Sequence, residues 1–483
     1  MTSSVVSVVT VLGPWSDGPG PLHVKLAGAL RRAIELGHVA SGVRLPSERV
    51  LAHDLNVSRS TVVAAYDALR VEGLVESRQG SGTRVRSARP RGLREQPPLS
   101  PLYRTLLEDG GPLISLAIAI HSAHPLVGEA VAEVAADRER LLALMGYLPA
   151  GLPELREAIA QRFTSVGAPT SAEEILVTTG AQQAVNLGSA LLLRPGDEVA
   201  VETPSLAGTL DALRSRGARF LPIPVDHQGV DTHALATLAA RRPPALVYVM
   251  PSFHNPTGVL LAEHRRRALV ELAVEREVPV LEDNALEFLV LEGEPPPPVA
   301  AFAPDGAPVL TAGSLSKAAW AGLRIGWLRG PANLIARAAE LKAVADLGTP
   351  LFDQAVAARL VPRLAELSRD RGAELRAALQ LVGDLLRQRL PEWEWEPPQG
   401  GPSLWIRLPS GTASGFAQVA ARYGVEVIPG EVMSATGEHR SNFRLPFTAP
   451  QPLLEETIVR LENAWRAYTP GGQIGRLPAA VVV

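Results

Sequence analysis

The sequence predicts an α/β protein in two parts: a small helical N-terminal domain and a large domain whose mainly parallel sheet carries helices on both faces. Three observations predict it. Helical periodicity is dense in residues 21–86, Arg, Pro and Gly are concentrated in 87–112, and short Val, Ile and Leu runs alternate with helical stretches in 113–468. We interpret 87–112 as a linker and assign 1–20 to a leader and 469–483 to a tail.

Composition limits the classes of function. The chain has 483 residues, 46% hydrophobic and 20% charged, which is typical of a globular protein. It has no cysteine, which excludes disulfides, thiolate nucleophiles and Cys-ligated metals. No apolar run reaches the ~18 residues of a membrane helix, and the N-terminus lacks the basic region of a signal peptide. We expect a cytoplasmic protein without a metal site or a membrane partner.

The N-terminal domain begins with three predicted helices. The first runs from Leu22 to Gly37, where glycine suits the position after a helix end. Ser47 and Ser58 are expected to cap the second and third helices, since a serine oxygen accepts from a free amide there. The side chains expected inside are Leu26, Leu30, Ile34, Val50, Leu51, Leu55, Val62, Val63, Tyr66 and Leu69.

Two short helices joined by a tight turn indicate a helix-turn-helix, whose second helix reads the major groove with its N-terminal residues. Arg59 at that end can form two hydrogen bonds to a guanine. The following segment reads as strand, glycine turn and strand, a wing in which Arg78 and Arg84 flank the tip. Residues 1–90 carry 11 Lys and Arg against 7 Asp and Glu, whereas the rest of the chain is acidic. A plain three-helix bundle with solvated arginines is the alternative.

The segment GVRLPSERVLAHDLNVSRSTVVAAYDALRVEGLVESRQGSGTRV resembles the winged-helix domain of GntR-type bacterial transcription regulators almost end to end. The resemblance implies that double-stranded DNA is a partner and that a set of head residues surrounds it. These residues are Arg44, Ser47, Glu48, Arg49, Ser58, Arg59, Ser60 and Thr61, with Arg78, Gly80 and Gly82 in the wing.

Polar residues follow several predicted strands of the large domain. A strand-to-helix turn contains Thr179, Gly180, Ala181 and Gln182, and amides at a helix start bind anions. Other strand ends contain Asn255, Asp283, Ser314, Lys317 and Arg324. A lysine for a Schiff base, a carboxylate for a ring nitrogen and donors for a phosphate are the three provisions that pyridoxal 5′-phosphate (PLP) needs. A solvated loop lysine and an ordinary capped helix are the alternatives.

The order GYLPAGLPELREAIA, TTGAQQA, NPTG, ED, SLSK…GLR, GG and FRL resembles the fold-type I aminotransferases over about 350 residues. With the head, the whole chain resembles the MocR-type regulators, which join a GntR winged helix to an aminotransferase-like body with a small C-terminal lobe. The resemblance implies that Lys317 forms the Schiff base with PLP, Asp283 pairs with the pyridine nitrogen and Asn255 bonds the ring 3′-oxygen. The phosphate would be bound by Gly180, Ala181, Gln182, Ser314 and Arg324.

Three further roles follow from the same resemblance. Tyr147 would reach the phosphate of a neighbouring subunit, Arg444 would hold the carboxylate of an amino-acid ligand, and Gly401 would shape that pocket. Two departures from the family stand beside them. Leu206 replaces an aromatic residue near the ring, and Ala285 and Leu286 occupy positions that usually supply a tyrosine. These losses affect efficient transamination more than cofactor binding.

We therefore expect a PLP-dependent, DNA-binding transcription regulator that senses an amino compound or PLP itself. A homodimer that acts in the cytoplasm on the nucleoid is expected with it. Two alternatives stay open: an active aminotransferase with a DNA-binding head, and a DNA-binding protein whose body is a cofactor-free scaffold. The aminotransferase-like body leaves enzymatic turnover undecided at this point.

Overall fold

The structure, a computed structural model, describes residues 8–13, 15–16, 20–40, 42–78, 82–86 and 113–468. The linker 87–112, the tail 469–483 and Gly80 lie outside the described residues. The head, 8–86, contains four described helices and a two-stranded wing. Its helices are Val8–Leu12, Leu22–Glu35, Glu48–Asp54 and Arg59–Val71, and its strands are β1 (Val75–Arg78) and β2 (Gly82–Val85).

The head helices form where their caps and apolar faces predict. The oxygens of Ser47 and Ser58 accept from the amides of Val50 and Thr61, which fixes the starts of the second and third predicted helices. The chain leaves the helix Leu22–Glu35 through Gly37, which has a left-handed backbone. The wing strands pair antiparallel, with Arg78 opposite Gly82.

Two expectations about the head core were wrong. Val50 and Val63 are 50% and 37% exposed, because their neighbours Leu51 and Val62 take the inward position on each helix. Part of the leader is ordered: Val8–Leu12 is a helix whose apolar side chains, together with Trp15, are buried in the head core. A Val-rich segment close to a small domain can add apolar area that the domain lacks.

The large domain, or body, is built on an eight-stranded sheet with the order β4-β11-β10-β9-β8-β5-β6-β7. The pairs between β5 and β6, β5 and β8, β8 and β9, and β9 and β10 are all parallel. Apolar cores lie on both faces of the sheet, as a parallel sheet requires. The strands are β4 (Ile175–Thr178), β5 (Glu198–Thr203), β6 (Arg219–Asp226), β7 (Gly229–Val230), β8 (Leu246–Val249), β9 (Val280–Asp283), β10 (Val309–Ser314) and β11 (Gly326–Arg329).

The helices of the body cover this sheet and extend into a smaller lobe. None of the described helices is long and apolar enough to cross a lipid bilayer. They are Pro125–Ala136, Arg138–Leu142, Pro153–Ser165, Ala181–Leu192, Ala207–Ser215, Thr232–Arg241, Glu263–Glu275, Ala332–Asp346, Leu351–Leu360, Leu364–Arg389, Ala413–Arg422 and Gln451–Ala467.

The small lobe contains a three-stranded antiparallel sheet and a two-stranded parallel pair. In the first, β15 lies between β12 and β14, and in the second β13 pairs with β3 near the start of the body. The strands are β3 (Ile114–Ser115), β12 (Ser403–Arg407), β13 (Val425–Glu426), β14 (Ile428–Pro429) and β15 (Asn442–Pro446). Residues from both ends of the body therefore build this lobe.

The body departs from strict strand–helix alternation at two points. No α-helix directly follows β9 or β10 in the described chain, where we expected one after every strand. Instead, β11 enters the sheet antiparallel, between β4 and β10. Two long loops result: one begins directly after Asp283 at the end of β9, and the other, after β10, contains Lys317.

Candidate functional site

The head residues that we expect to face DNA lie at the starts of its second and third predicted helices. Ser47 and Ser58 are the N-caps, and Arg49, Arg59 and Ser60 are exposed beside them. Glu48 and Thr61 are half-buried. Exposed guanidinium groups and hydroxyls at helix starts can contact both bases and phosphates.

The wing lies beside the same surface. Arg44 forms a bridge to Arg84 of β2, and a Cβ added to Gly82 would lie 2.7 Å from Arg44 Nε. Arg84 donates to the carbonyl of Gly42 at 2.8 Å, so this arginine braces the wing as well as facing outward. Arg78 is placed as a β1 residue at the end of the described wing strand.

In the body, sheet register brings the expected phosphate ligands together. Ser314 pairs with Gly326, and Gly326 pairs with Thr178, so the ends of β10, β11 and β4 are adjacent. From Thr178 the chain turns through a left-handed Gly180 into the helix that begins with Ala181 and Gln182. The first amides of a helix have no partner within it and can bind an anion.

Arg324 completes this turn. Its guanidinium donates to the carbonyl of Thr179 at 3.0 Å, and a Cβ added to Gly180 would lie 3.0 Å from its Nη2 atom. Glycine is therefore required at 180 both for its backbone angle and for space. Ser314 Oγ lies 2.9 Å from Ser316 Oγ and accepts from the Ser316 amide.

Lys317 lies in the loop after β10, where it is half-buried. Its Nζ atom donates to the carbonyl of Ala119 at 2.6 Å. Burial, with smaller contributions from the charges of Arg444 and Arg324, lowers the pKa of Lys317 to about 8. A desolvated lysine beside cationic groups has a larger neutral, nucleophilic fraction near physiological pH than a fully exposed lysine has.

Asp283 ends β9 and is held by one donor on each oxygen. The Ala285 amide donates to Oδ1 at 3.0 Å, and the Tyr248 hydroxyl donates to Oδ2 at 2.9 Å. Burial raises the pKa of Asp283, and the two hydrogen bonds act against that rise. The carboxylate therefore has a fixed orientation in a buried place, as a partner of a pyridine nitrogen requires.

Arg444 on β15 brings a buried positive charge to the same site. Its guanidinium donates to the carbonyl of Ala117 and, at 3.4 Å, to Oδ1 of Asn255. Its Nε atom is buried and has no hydrogen-bond partner within the described structure. Burial lowers the pKa of Arg444 to about 10, so the group stays charged at neutral pH. A buried, charged donor without a partner fits the carboxylate of a ligand.

The remaining residues that the sequence analysis singled out are Gly401, Leu286, Leu206 and Tyr147. Gly401 has a left-handed backbone, and a Cβ added there would approach Phe253 and Leu286. Leu286 is buried, and Leu206 is half-buried at the start of a helix. Tyr147 is 67% exposed, so its hydroxyl is not part of the site within one chain.

The sequence interpretation missed several residues of the site. Tyr248 was not singled out, although a polar aromatic residue in the buried run LVYV requires a partner. The carbonyls of Ala117 and Ala119 were missed because main-chain acceptors leave no signal in a sequence. Gly326 was overlooked because its role depends on the pairing of β11 with β4 and β10.

Comparison with known proteins agrees with this geometry in both parts of the chain. Residues 22–85 match the family of bacterial regulatory proteins called gntR, and residues 121–461 match aminotransferase class I and II. The HTH-type transcriptional regulator YisV of Bacillus subtilis is 30% identical over 456 residues, which cover 89% of this chain and 92% of YisV.

A protein described as "probable rhizopine catabolism regulatory protein MocR", from Rhizobium meliloti, is 31% identical over 66% of this chain and 67% of its own length. The chain belongs to the MocR-type regulators. As a MocR-type regulator it has a GntR-type DNA-binding head and an aminotransferase-fold body, and DNA is its macromolecular partner.

A solved structure bears on the cofactor of this MocR-type body. The α-aminoadipate aminotransferase LysN of Thermus thermophilus, complexed with N-(5′-phosphopyridoxyl)-L-leucine, superimposes with a TM-score of 0.69. It is 29% identical and covers 76% of this chain and 95% of LysN. PLP is the cofactor of this fold family, and the buried lysine, the oriented carboxylate and the glycine turn of this chain fit it.

Proposed function

We propose that this chain is a transcription regulator whose body binds a compound with both an amino group and a carboxylate, and whose head transmits the result to DNA. One observation carries the proposal. Lys317 and Arg444 donate to the carbonyls of Ala119 and Ala117, two residues apart on one segment. An amine-exchanging group and a carboxylate-binding group therefore lie within the reach of one small molecule.

Each residue has a definite task in this proposal. When bound, PLP supplies an aldehyde that exchanges amines and a ring that withdraws electrons. Lys317 offers a neutral amine, Asp283 orients the ring through its nitrogen, and Asn255 faces the ring oxygen. The phosphate is held by Gly180, Ala181, Gln182, Ser314 and Arg324, as helix-start amides, a hydroxyl and a guanidinium hold an anion.

A second copy of the chain is the proposed subunit partner. Met145 and Val344 are 93% and 90% exposed, and Leu144, Tyr147 and Leu347 are exposed near them. The two stretches are adjacent, because a Cβ on Gly348 would lie 2.8 Å from the Leu148 carbonyl oxygen. Exposed apolar side chains on two neighbouring elements are typical of a subunit interface. In a dimer Tyr147 would face the other copy, and two heads would bind DNA together in the cytoplasm.

Covalent trapping of PLP tests the proposed site. The chain has only three lysines, Lys25, Lys317 and Lys342, so reduction of the PLP-loaded protein with borohydride can label only three lysine side chains, which peptide mass mapping distinguishes. We expect the label on Lys317, and the visible absorption of bound PLP should be absent in Lys317→Ala. Lys25→Ala, a change in the head, is the matched control and should keep both signals.

Two results would contradict the proposal. A label on another lysine would show that Lys317 does not form the Schiff base. A colourless protein that does not bind PLP would indicate that the body is only a scaffold. With PLP loaded, a panel of amino acids and of amines without a carboxylate should shift the absorption. The amino acids should do so at the lower concentrations.

An active aminotransferase is the second candidate, and the pKa of Lys317 favours it. A lysine with a pKa of about 8 can accept and return a proton near neutral pH. A single-turnover assay with an amino donor, followed by addition of a keto acid, separates the two functions. Sustained formation of the new amino acid would establish an enzyme, whereas a spectral change without product would establish a sensor.

A further inference from the structure

A chain of buried hydroxyls lies behind Asp283. Tyr248 OH donates to Asp283 Oδ2 at 2.9 Å, and Thr209 Oγ1 lies 3.0 Å from the same Tyr248 oxygen. Tyr248 is fully buried, and Thr209 and Asp283 are 1% and 2% exposed. A phenol that is buried beside a carboxylate needs a function or a strong structural reason, because its desolvation is costly.

The fold fixes this arrangement from two directions. Tyr248 on β8 is paired in register with Leu281 on β9, so Asp283 is the diagonal neighbour on the same face of the sheet. Thr209 comes from the helix Ala207–Ser215, which packs over that face. Because strand register and a helix position the three oxygens, they do not depend on a flexible loop.

The direction of the hydrogen bonds is determined by charge. Burial and the nearby Asp283 raise the pKa of Tyr248 well above its usual value, so the phenol keeps its proton and donates it to the carboxylate. Thr209 can then donate to the phenol oxygen and strengthen it as a donor. Among the described residues, each carboxylate oxygen has a single donor, from Ala285 or Tyr248, which leaves capacity to accept from one more group.

We propose that Tyr248, supported by Thr209, is a positioning residue that keeps the proton shared by Asp283 and the PLP ring on the ring nitrogen. A donor on the carboxylate lowers its affinity for that proton, so removal of the donor moves the proton toward Asp283. The proposal rests on PLP binding at Lys317. In this proposal the tyrosine of the site comes from strand β8 of the sheet. The loop after Asp283 supplies none, because it has Ala285 and Leu286 there.

The test uses the full-length protein loaded with PLP that is labelled with ¹⁵N in the ring. The variant Tyr248→Phe removes only the hydroxyl, and Thr209→Val removes only the second hydroxyl. Tyr66→Phe is the matched control, because Tyr66 is a fully buried tyrosine in the head that donates to the Pro46 carbonyl. The measurements are the ¹⁵N shift of the ring, the pH titration of the visible absorption and the dissociation constant for PLP.

We expect Tyr248→Phe to move the ring ¹⁵N shift toward that of unprotonated pyridine and to weaken PLP binding about tenfold, the loss expected for one buried hydrogen bond. Thr209→Val should move both in the same direction by less, and Tyr66→Phe should move neither. Weaker PLP binding with an unchanged ring shift and titration would show a merely structural role and overturn the proposal. Should Tyr248→Phe fail to fold, Thr209→Val decides by the same criterion. A wild-type protein that does not bind PLP would instead refute the proposed function.

Discussion

Lys317 and Arg444 are two basic groups in one site, and their proximity affects the protonation of Lys317. The positive charges of Arg444 and Arg324 favour the neutral amine, in addition to the burial that lowers the pKa of Lys317. Arg444 keeps its charge because guanidinium is a much weaker acid. The carboxylate of a ligand would therefore lie beside a permanently charged arginine. The amine of the same ligand would lie beside a lysine that releases its proton readily.

Arg444→Gln should change both ligand selectivity and pH dependence. Amino acids should bind about 10- to 100-fold more weakly, as for loss of hydrogen bonds to a charged group, and amines without a carboxylate should be unaffected.

The rate of PLP association should rise with pH through about 8 in the wild-type protein, since the neutral amine reacts. In the variant that midpoint should move to higher pH, because a repelling charge is gone.

Stopped-flow absorbance over a pH series and a ligand titration measure these effects. Arg407→Gln is the control, since Arg407 is exposed on neighbouring β12 and pairs with Glu394. An unchanged pH midpoint in Arg444→Gln would mean that the arginine charge does not act on Lys317.

At the scale of elements, the turn from Thr178 to Ala181, which we propose to bind the phosphate, depends on close contact between three strands. A Cβ on Gly326 would lie 2.6 Å from the carbonyl carbon of Gly180 and 2.8 Å from the amide of Ala181. Both contacts are to backbone, which cannot rotate away. Gly326 therefore permits the close approach of β11 to the turn that we propose to bind the phosphate.

Gly326→Ala should weaken binding of PLP far more than binding of pyridoxal, which lacks the phosphate. The added methyl must displace the turn, so we expect a loss of at least about tenfold in PLP affinity, from disturbed charge-assisted hydrogen bonds. Gly128→Ala, on a helix with nothing within 4 Å of the new Cβ, is the control. Calorimetric titration with both compounds measures the ratio, and an equal loss for both would contradict a phosphate-specific role.

The sequence predicted elements better than it predicted how they pair. Caps such as Ser58 and the apolar runs of β4, β5, β8, β9 and β10 act locally, so their positions could be read directly. The antiparallel β11 and the Tyr248–Asp283 contact depend on neighbours brought together by the sheet. Inside helices, Val50 and Val63 were misplaced because adjacent apolar residues compete for one inward position.

At the scale of the whole molecule, the small lobe connects the proposed ligand site to the head. Arg444 on β15 is paired with Ile428 on β14, a few residues after the helix Ala413–Arg422 ends. At that end the guanidinium of Arg422 donates to the carbonyl of Leu55 at 2.9 Å and to that of Asn56 at 3.4 Å. These two carbonyls belong to the turn of the helix-turn-helix, just before Ser58, the cap of the helix that we expect to read DNA.

Arg422→Ala should therefore loosen the turn of the head without affecting PLP binding. Loss of these hydrogen bonds should speed amide exchange in peptides that span the turn about fivefold, as expected for roughly 1 kcal/mol. Hydrogen–deuterium exchange measures this, with Arg460→Ala as control, because Arg460 contacts Gly424 and Glu456 within the small lobe.

The acceptors of the Arg422 hydrogen bonds are the neutral carbonyls of Leu55 and Asn56, so the protection should survive salt concentrations that abolish DNA binding. Exchange that is equal in wild type and Arg422→Ala would show that this contact does not hold the head, and coupling between ligand and DNA would then have to run through the linker.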